Sequence, residues 1–557
     1  MACASQQPVM ISTSSHIITR YWRPDPGRSS AVATGPRPTA ATDVAIGDRA
    51  FARVEKARAQ LSVLEEQLAE PARLIAEGEV VAFPTETVYG LGGDATNTEA
   101  IGKIYSAKGR PSDNPLIVHI ATREQLSRIA KEVPEVALPL MDAFWPGPLT
   151  LVLPATPNVS PRVTAGLTTV AVRMPNHPIA LALIRKSDIP IAAPSANASG
   201  RPSPTCARHV ADDLDGKIAG IIDGALVRTR LRDAIRELNA ASSKDRDSAT
   251  TAEAASDDAY ESECVFGVES TVVDISQFCT SSIKIEHPKV YILRPGAVTK
   301  SMLESVLPEC QIEYDPTLPI DPSLLPSKEQ NVESKTQKPD SNATVSDDQS
   351  GAEAALRHEL ATRANAAEGE VERTAVGTSA TPMAPGMKYV HYAPRAPLYL
   401  VLGSAGSGSS GSTPQASAST AIWEQVRSAS QAHIGLLLTS ESFAELGLNK
   451  LASQHGVPLP SLTNPRLVFA VDPSGAEIRL LTEESPNPEP GWKKVTALYC
   501  GSRQDFTTVS VRLYDALREF DTCQVEIIFA ESLDSHDGGA AVMNRLLKAA
   551  GGKILRS

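Results

Sequence analysis

The sequence predicts an α/β protein built as two folded units in series, a mixed twisted sheet with helices followed by a second α/β unit. Three observations lead there. Between residues 57 and 313 short apolar runs suited to strands alternate with segments of helical period. Residues 314–383 are rich in Ser, Asp, Glu, Lys, Ala and Pro and poor in aromatics, a composition that cannot bury enough surface to fold. The alternation then resumes over residues 396–557. A chain of 557 residues has room for two to four domains at about 150 residues each.

Taken in order, residues 1–56 form an extension with Arg20, Arg23, Arg28 and Arg37 and few acids, a composition shared by disordered tails and import signals. In the first unit, apolar runs bounded by Gly, Pro or polar residues predict strands at Glu79 to Pro84, Leu116 to Ile120, Thr150 to Pro154, Thr169 to Met174, Ile189 to Ala193, Gly220 to Asp223, Ser270 to Ile275 and Val290 to Leu293. Helices are predicted between them at Pro71 to Ala76, Thr98 to Ala107, Glu135 to Phe144, His177 to Arg185 and Thr299 to Val306. Residues 225–264 interrupt this unit with Ala, Ser, Asp, Glu and Arg and are expected to be an inserted surface loop, tolerated because closure entropy grows only logarithmically with length. Residues 314–383 are expected to be a disordered linker. Directly after it, residues 384–395 read APGMKYVHYAPR, too aromatic and basic for a passive spacer. The second unit carries predicted strands at Leu398 to Leu402, His433 to Leu438, Leu467 to Val471 and Gln524 to Ala530, with helices at Ala421 to Ser430, Gln504 to Glu519 and Gly538 to Lys548. A three-layer, Rossmann-like arrangement follows from that alternation, without fixing the strand order.

Composition narrows the functional classes. The net charge of −12, from 53 basic and 65 acidic residues, gives no overall basic field for nucleic acid or anionic lipid, so neither stable nucleic-acid binding nor membrane association is expected. Seven scattered cysteines without a C-x-x-C pair argue against a disulfide framework and a zinc site, and no acidic cluster marks a protein-held metal. The expected location is cytoplasmic, with mitochondrial targeting by the extension left open. Gly406, Gly408 and Gly411 spell G-x-G-x-x-G, but inside a low-complexity GSAGSGSSGST run that reads as a flexible loop. The P-loop pattern is absent from the sequence, so nucleotide binding cannot rest on it.

The chemistry-bearing motifs sit where strands end. After Val80 to Phe83 comes PTETVYGLG, and at a distance AKGRPSDNPL, in which Lys108 and Arg110 as alternate residues of an extended segment would present two cations on one side. AAPSANASGRPSPT, Ala192 to Thr205, places Ser195, Asn197, Ser199, Ser203 and Thr205 among prolines and Gly200, a rigid polar cradle. TTVAVRMP, FGVESTVVD and LRPG each set a hydroxyl or a single Arg at a strand end, where an Arg can hold a carboxylate bidentately. Alone, each of these also fits a solvated turn or a structural ion pair.

In this order the motifs PTETVYGLG, KGRP-x-x-NPL, WPGPLT, APSAN-x-SG-x-PSPT, G-x-EST and LRPG resemble the YrdC-like family, the threonylcarbamoyl-AMP synthases, over about Leu68 to Leu307. APGMKYVHYAP and the trailing unit are similar to its longer, two-domain branch with a C-terminal Rossmann-like domain. The resemblance implies a nucleotidyltransferase with a YrdC-like mixed sheet that condenses L-threonine, bicarbonate and ATP into threonylcarbamoyl-AMP and pyrophosphate, with Mg2+ on the phosphates. The product would feed a separate tRNA threonylcarbamoyl transferase complex. The resemblance assigns Thr87, His119, Arg173, Ala193 and Ser270 to threonine. It assigns Lys108, Arg110, Asn114, Thr169, Ser195, Asn197, Ser203, Arg294, His391 and Tyr392 to ATP, with Lys108, Arg110 and Ser195 also catalytic and residues 384–395 as a lid. The chain departs from the family pattern at the insert, which separates the I-D-G strand end from G-x-EST. A carbamoyltransferase of the hydrogenase-maturation type and an RNA-binding module are the alternatives; the acidic net charge disfavours the second.

Overall fold

Eleven strands form one mixed sheet in a computed structural model of the chain. They are β1 (Arg20–Trp22), β2 (Val81–Phe83), β3 (Gly90–Asp94), β4 (Ile117–His119), β5 (Leu149–Pro154), β6 (Thr169–Arg173), β7 (Ile191–Ala192), β8 (Gly220–Ile222), β9 (Thr271–Asp274), β10 (Lys289–Arg294) and β11 (Gln311–Tyr314). Their spatial order is β1-β8-β2-β3-β7-β4-β6-β5-β9-β10-β11. The structure describes residues 19–23, 63–225, 264–279, 288–320, 382–385, 387, 391–402, 418–458, 465–482 and 485–556. The rest of the extension, the insert at 226–263, the linker at 321–381 and the glycine-rich loop at 406–411 lie outside the described residues.

Helices α1 (Ala69–Ala76), α2 (Thr98–Lys108), α3 (Ala137–Phe144), α4 (Pro161–Thr164), α5 (Pro178–Ser187), α6 (Ala207–Leu214) and α7 (Lys300–Val306) accompany this sheet. Local chemistry sets their ends. Asn97 Oδ1 accepts from the backbone N–H groups of Glu99 and Ala100 at 3.0 and 3.1 Å and starts α2, a cap worth about 1 kcal/mol. Gly109, at φ 61°, ends it in the left-handed conformation. Ile101 and Ile104 bury one face of α2 in the core that also holds Leu91 and Val118.

Two expectations need correction, and one strand was not foreseen. Arg20–Trp22, placed in the disordered extension, is an edge strand parallel to β8, and Trp22 Nε1 donates to Glu70 at 3.1 Å. Tyr314, placed at the start of the linker, closes β11, and the described chain runs on to Ile320, with Pro319 O accepting from Asn544. Gly90–Asp94, to which the sequence assigned no element, forms β3, where a Cβ at Gly92 would lie 2.7 Å from Phe83 and 2.8 Å from Ile191. The glycines there let two bulky neighbours approach the backbone.

The second sheet contains β12 (Leu398–Leu402), β13 (His433–Leu438), β14 (Arg466–Val471), β15 (Ile478–Leu480), β16 (Lys493–Tyr499), β17 (Ile527–Glu531) and β18 (Ile554–Arg556) in the order β15-β14-β16-β13-β17-β12-β18. From β16 to β18 the pairings are parallel, while β14 and β15 add an antiparallel edge. One apolar cluster on this sheet holds Ile422 of α8 (Ala418–Ser428), Phe443 of α9 (Ser440–Glu445) and Leu448 of α10 (Leu448–Gln454). Another holds Leu513 of α11 (Phe506–Cys523) and Leu546 of α12 (Gly538–Ala550), giving the three layers. The same cluster takes in Val88 and Val268 from the first sheet's loops and Tyr392 from the connecting segment. The two sheets therefore share a core at the point where the sequence motifs converge.

Candidate functional site

A cavity opens where β2, β4, β6, β7 and β10 end, and it gathers most of the motifs. Thr87, Lys108, Arg110, His119, Arg173, Ala193, Ser195, Asn197, Ser270, Arg294, His391 and Tyr392 all line it. The loop after β2 is built by Thr85, whose hydroxyl donates to Val88 O at 2.6 Å and accepts from the N–H of Thr87 and Val88 at 3.2 and 3.3 Å. This turn aims the Thr87 hydroxyl at Arg173, whose Nη1 donates to Thr87 Oγ1 at 2.9 Å. Arg173 Nε donates to Gly147 O at 3.2 Å, from the WPGPLT motif. Its Nη2 lies 2.6 Å from Glu86 Oε1, but off the hydrogen-bond direction, so both Glu86 oxygens remain without a hydrogen bond among the described residues.

His119 ends β4 beside this arginine. Burial, and then the charge of Arg173, pull its imidazole down to about 3, so it is neutral, and its Nδ1 has no hydrogen-bond partner among the described residues. Ser270 exchanges a 2.7 Å hydrogen bond with Thr150 and accepts from Arg294 Nη2 at 3.0 Å, while Arg294 Nε donates to Ser270 O at 3.0 Å.

The cationic side differs from the expected geometry. Lys108 is not part of an extended segment; it is the last residue of α2, and the left-handed turn at Gly109 separates it from Arg110. Its Nζ donates to the carbonyls of Ser195 and Asn197, and burial, followed by Arg110, pushes its amine well below the ordinary lysine range. Arg110 is held by Asn114 O at 3.2 Å and Pro115 O at 2.9 Å. Ser195 Oγ donates to Asn197 Oδ1 at 2.5 Å, and the Asn197 amide is fixed by the carbonyls of Ala198 and Arg201.

Three expected residues lie off the cavity wall. Thr169 begins β6 opposite Pro154, four residues from Arg173, about 13 Å at strand rise. Asn114 is buried behind Arg110, with neither atom of its side-chain amide hydrogen-bonded among the described residues. Ser203 points its hydroxyl at Glu269 Oε1, 2.6 Å away.

Sequence reasoning passed over Glu86 and Glu269, both inside the motifs that it quoted, because hydroxyls and cations drew the attention. Glu269 lines the cavity and takes hydrogen bonds from Ser203, from Tyr514 OH at 2.8 Å, and from Arg545 Nε and Nη2 at 3.1 and 3.0 Å. Burial pushes its carboxyl up, but Arg545 and Arg294 outweigh that and hold it at about 2. A lone Arg in the apolar run GGAAVMNRLLKAA was the available signal for Arg545; nothing local marked Tyr514.

Over the mouth, Pro385, His391 and Tyr392 line the cavity, and Ala393 N donates to Gly200 O at 2.8 Å. Burial, then Arg110, takes His391 down to about 3. The arrangement sets a buried arginine, a second group of buried cations and an overlying aromatic segment around one cavity.

Two family descriptions match the chain: Telomere recombination over residues 73–246, and Threonylcarbamoyl-AMP synthase, C-terminal domain, over residues 353–551. The chain is 37% identical over 498 residues to the threonylcarbamoyl-AMP synthase of Bacillus subtilis, which spans 89% of this chain and 96% of that protein. It is 48% identical over 241 residues to the enzyme of that name from Pyrococcus abyssi, covering 43% of this chain and 57% of the other. Among solved structures, P. abyssi Sua5 complexed with L-threonine matches with a TM-score of 0.53 at 31% identity, over 88% of this chain and 96% of that one.

Proposed function

The chain belongs to the threonylcarbamoyl-AMP synthase family, and we infer that its cavity condenses L-threonine, bicarbonate and ATP into threonylcarbamoyl-AMP, pyrophosphate and water. The observation that carries the assignment to this cavity is that Arg173, with Thr87 on its Nη1, faces the same space as Lys108, Arg110 and Arg294. One end is thus built for an amino-acid carboxylate and the other for phosphates. The threonine amine takes the carbon of bicarbonate to form a carbamate with loss of water. A carbamate oxygen then attacks the α-phosphorus as the bond to pyrophosphate breaks.

Each protein group acts by position and charge, with no covalent intermediate. Arg173 and Thr87 orient the threonine carboxylate, and neutral His119 with Ser270 flanks the remainder of the amino acid. Lys108, Arg110 and Arg294 neutralise charge that develops on the phosphates. The carbonyls that hold Lys108 keep its amine aimed at the cavity, and an arriving phosphate favours its charged form. Asn114, buried off the cavity wall with its amide unpaired among the described residues, is a polar group that a bound water would satisfy. His391 and Tyr392 close the mouth against water that would hydrolyse the mixed anhydride. Magnesium enters on the triphosphate as part of the substrate. Glu269 is committed to Arg545 and Tyr514, and Glu86 lies against Arg173, so neither carboxylate is open to the ion. The product passes to a separate transferase that modifies tRNA.

The test is pyrophosphate release from ATP in the absence of tRNA. Release is expected only when threonine and bicarbonate are both present. Release that required tRNA, or that ignored threonine, would refute the assignment.

A further inference from the structure

Glu269 is buried, with 6% of its surface exposed, and lies on the cavity wall, yet its carboxylate is saturated by groups that lie outside the cavity. Ser203 occupies Oε1, while Tyr514 and Arg545 converge on Oε2 from α11 and α12 of the second domain. Arg545 is fully buried, which is costly for a guanidinium unless every donor direction is used. Two of its nitrogens go to Glu269, and the third, Nη1, donates to Pro295 O, the residue after Arg294. The single side chain thereby ties the G-x-EST loop to the LRPG loop.

Those two loops touch without slack. A Cβ at Gly296 would lie 2.4 Å from Thr271 N and 2.5 Å from Glu269 O, so the backbone of one loop rests on the other. Arg294 in turn bonds Ser270 through both its backbone carbonyl and its hydroxyl. Tyr392 of the covering segment rests on the same device, with its ring 5.2 Å from that of Tyr514 at 29° and 5.8 Å from the Arg545 guanidinium.

We propose that Arg545 and Tyr514 are positioning residues of the nucleotide side: the second domain, through Glu269 and Pro295 O, sets the direction of Arg294 and seats the cover carried by Tyr392. This rests on the reading of the cavity as the adenylate-forming site. Neither residue touches the cavity itself, so their effect is exerted through Glu269, Arg294 and Tyr392. The carboxylate end of threonine is anchored separately, by Thr85, Thr87, Arg173 and Gly147, and is expected to stay in place when the second-domain pair is altered; Ser270, which Arg294 holds, is the contact shared by the two ends.

The experiment is steady-state pyrophosphate release by full-length Arg545→Met, Arg545→Lys, Tyr514→Phe and Glu269→Gln proteins and by the Arg545→Met/Glu269→Gln double variant, beside the wild type. For Arg545→Met, kcat/KM for ATP is expected to fall about 30-fold or more, while threonine binding to the nucleotide-free protein, read by calorimetry, shifts less than about threefold. Arg545→Lys recovers only part of the loss, since one ammonium cannot span Glu269 and Pro295 together. Glu269→Gln adds little to Arg545→Met, because both remove one connection. A wild-type kcat/KM for ATP in Arg545→Met, equal losses on the ATP and threonine sides, or additive effects of the two substitutions would overturn the proposal. Should Arg545→Met fail to fold, Tyr514→Phe decides, since it keeps the ring stack and loses only the hydroxyl: an approximately fivefold fall in kcat/KM for ATP supports the proposal and an unchanged value overturns it. Failure of the wild type to release pyrophosphate would count against the reaction assigned to the cavity and is seen independently of the variants.

Discussion

Arg173 shows how much of the chemistry rests on single side chains. Its guanidinium is divided among three directions, Nη1 to Thr87 Oγ1 at 2.9 Å, Nε to Gly147 O at 3.2 Å, and Nη2 beside Glu86 at 2.6 Å. A lysine places one compact charge there and cannot reproduce that fork. Hydrogen bonds to charged groups are worth about 1.5–3 kcal/mol each. Arg173→Lys is therefore expected to lower kcat/KM for threonine about 10- to 100-fold and to leave the KM for ATP within about twofold. The check is a pair of saturation curves, one for each substrate. Equal changes in both would remove Arg173 from the amino-acid end. Arg173 stands out in sequence only through the order of the motifs, since an Arg at the end of VAV in TTVAVRMP taken alone fits a structural ion pair as well. Glu86 was not legible as its neighbour, since the pairing depends on the turn that Thr85 builds through three hydrogen bonds over two residues.

At the scale of elements, periodic helices and β-branched strands were readable, and glycine-bearing or polar-headed ones were not. β3 carries GLGGD and is not recognisable as a strand in sequence, because the reason for its glycines, the close approach of Phe83 and Ile191, is a tertiary fact. β16 begins Lys493-Lys494, and that charged start concealed a central strand of the second sheet. The reading of Lys108 and Arg110 failed similarly. Alternation suggested an extended pair, whereas the Asn97 cap and the Gly109 terminator deliver Lys108 from a helix end. Gly109 and Gly296 permit a test of that account. Nothing lies within 4 Å of a Cβ at Gly109, so Gly109→Ala costs only left-handed strain, about 1 kcal/mol. At Gly296 the nearest atoms are backbone at 2.4 to 2.6 Å, and relief requires moving one motif loop off the other. Gly109→Ala is expected to lower the Tm by roughly 1–2 °C and to keep most of the activity; Gly296→Ala is expected to lose both stability and pyrophosphate release. Thermal melts with the activity assay check this, and equal behaviour of the two variants would contradict it.

For the whole molecule, the two domains join through charge as well as apolar packing. Arg518 of α11 donates to Asp213 Oδ2 at 2.8 Å, and Asp521 receives Arg201 Nη2 at 2.9 Å and the N–H of Arg395 at 2.7 Å. The response to mild acid involves a different set of groups, imidazoles folded without a proton. His119, His177 and His391 are each brought down to about 3, chiefly by burial. An unfolded histidine titrates near 6.5. Between those values the unfolded chain binds protons that the folded chain does not, so stability is full above about 6.5 and falls as the pH falls. Glu269, at about 2, adds its loss only as the pH drops below its ordinary value of 4.5. Between pH 7.5 and 5.5 the histidines titrate alongside Lys548, whose amine burial brings down to about 7, so one histidine is read as the difference between its variant and the wild type. His177 suits the test because it lies outside the cavity and caps α5, its Nδ1 accepting from Ile179 N at 3.2 Å. Asparagine keeps an acceptor at that cap and removes the titration. A single histidine with these values contributes about 1.4 kcal/mol of lost stability from pH 7.5 to 5.5. His177→Asn is expected to lose about that much less than the wild type between the two pH values, with unchanged KM for ATP and threonine at pH 7.5. Urea denaturation at both pH values measures it. An identical acid-induced loss in the two proteins would mean that His177 takes up its proton in the folded state.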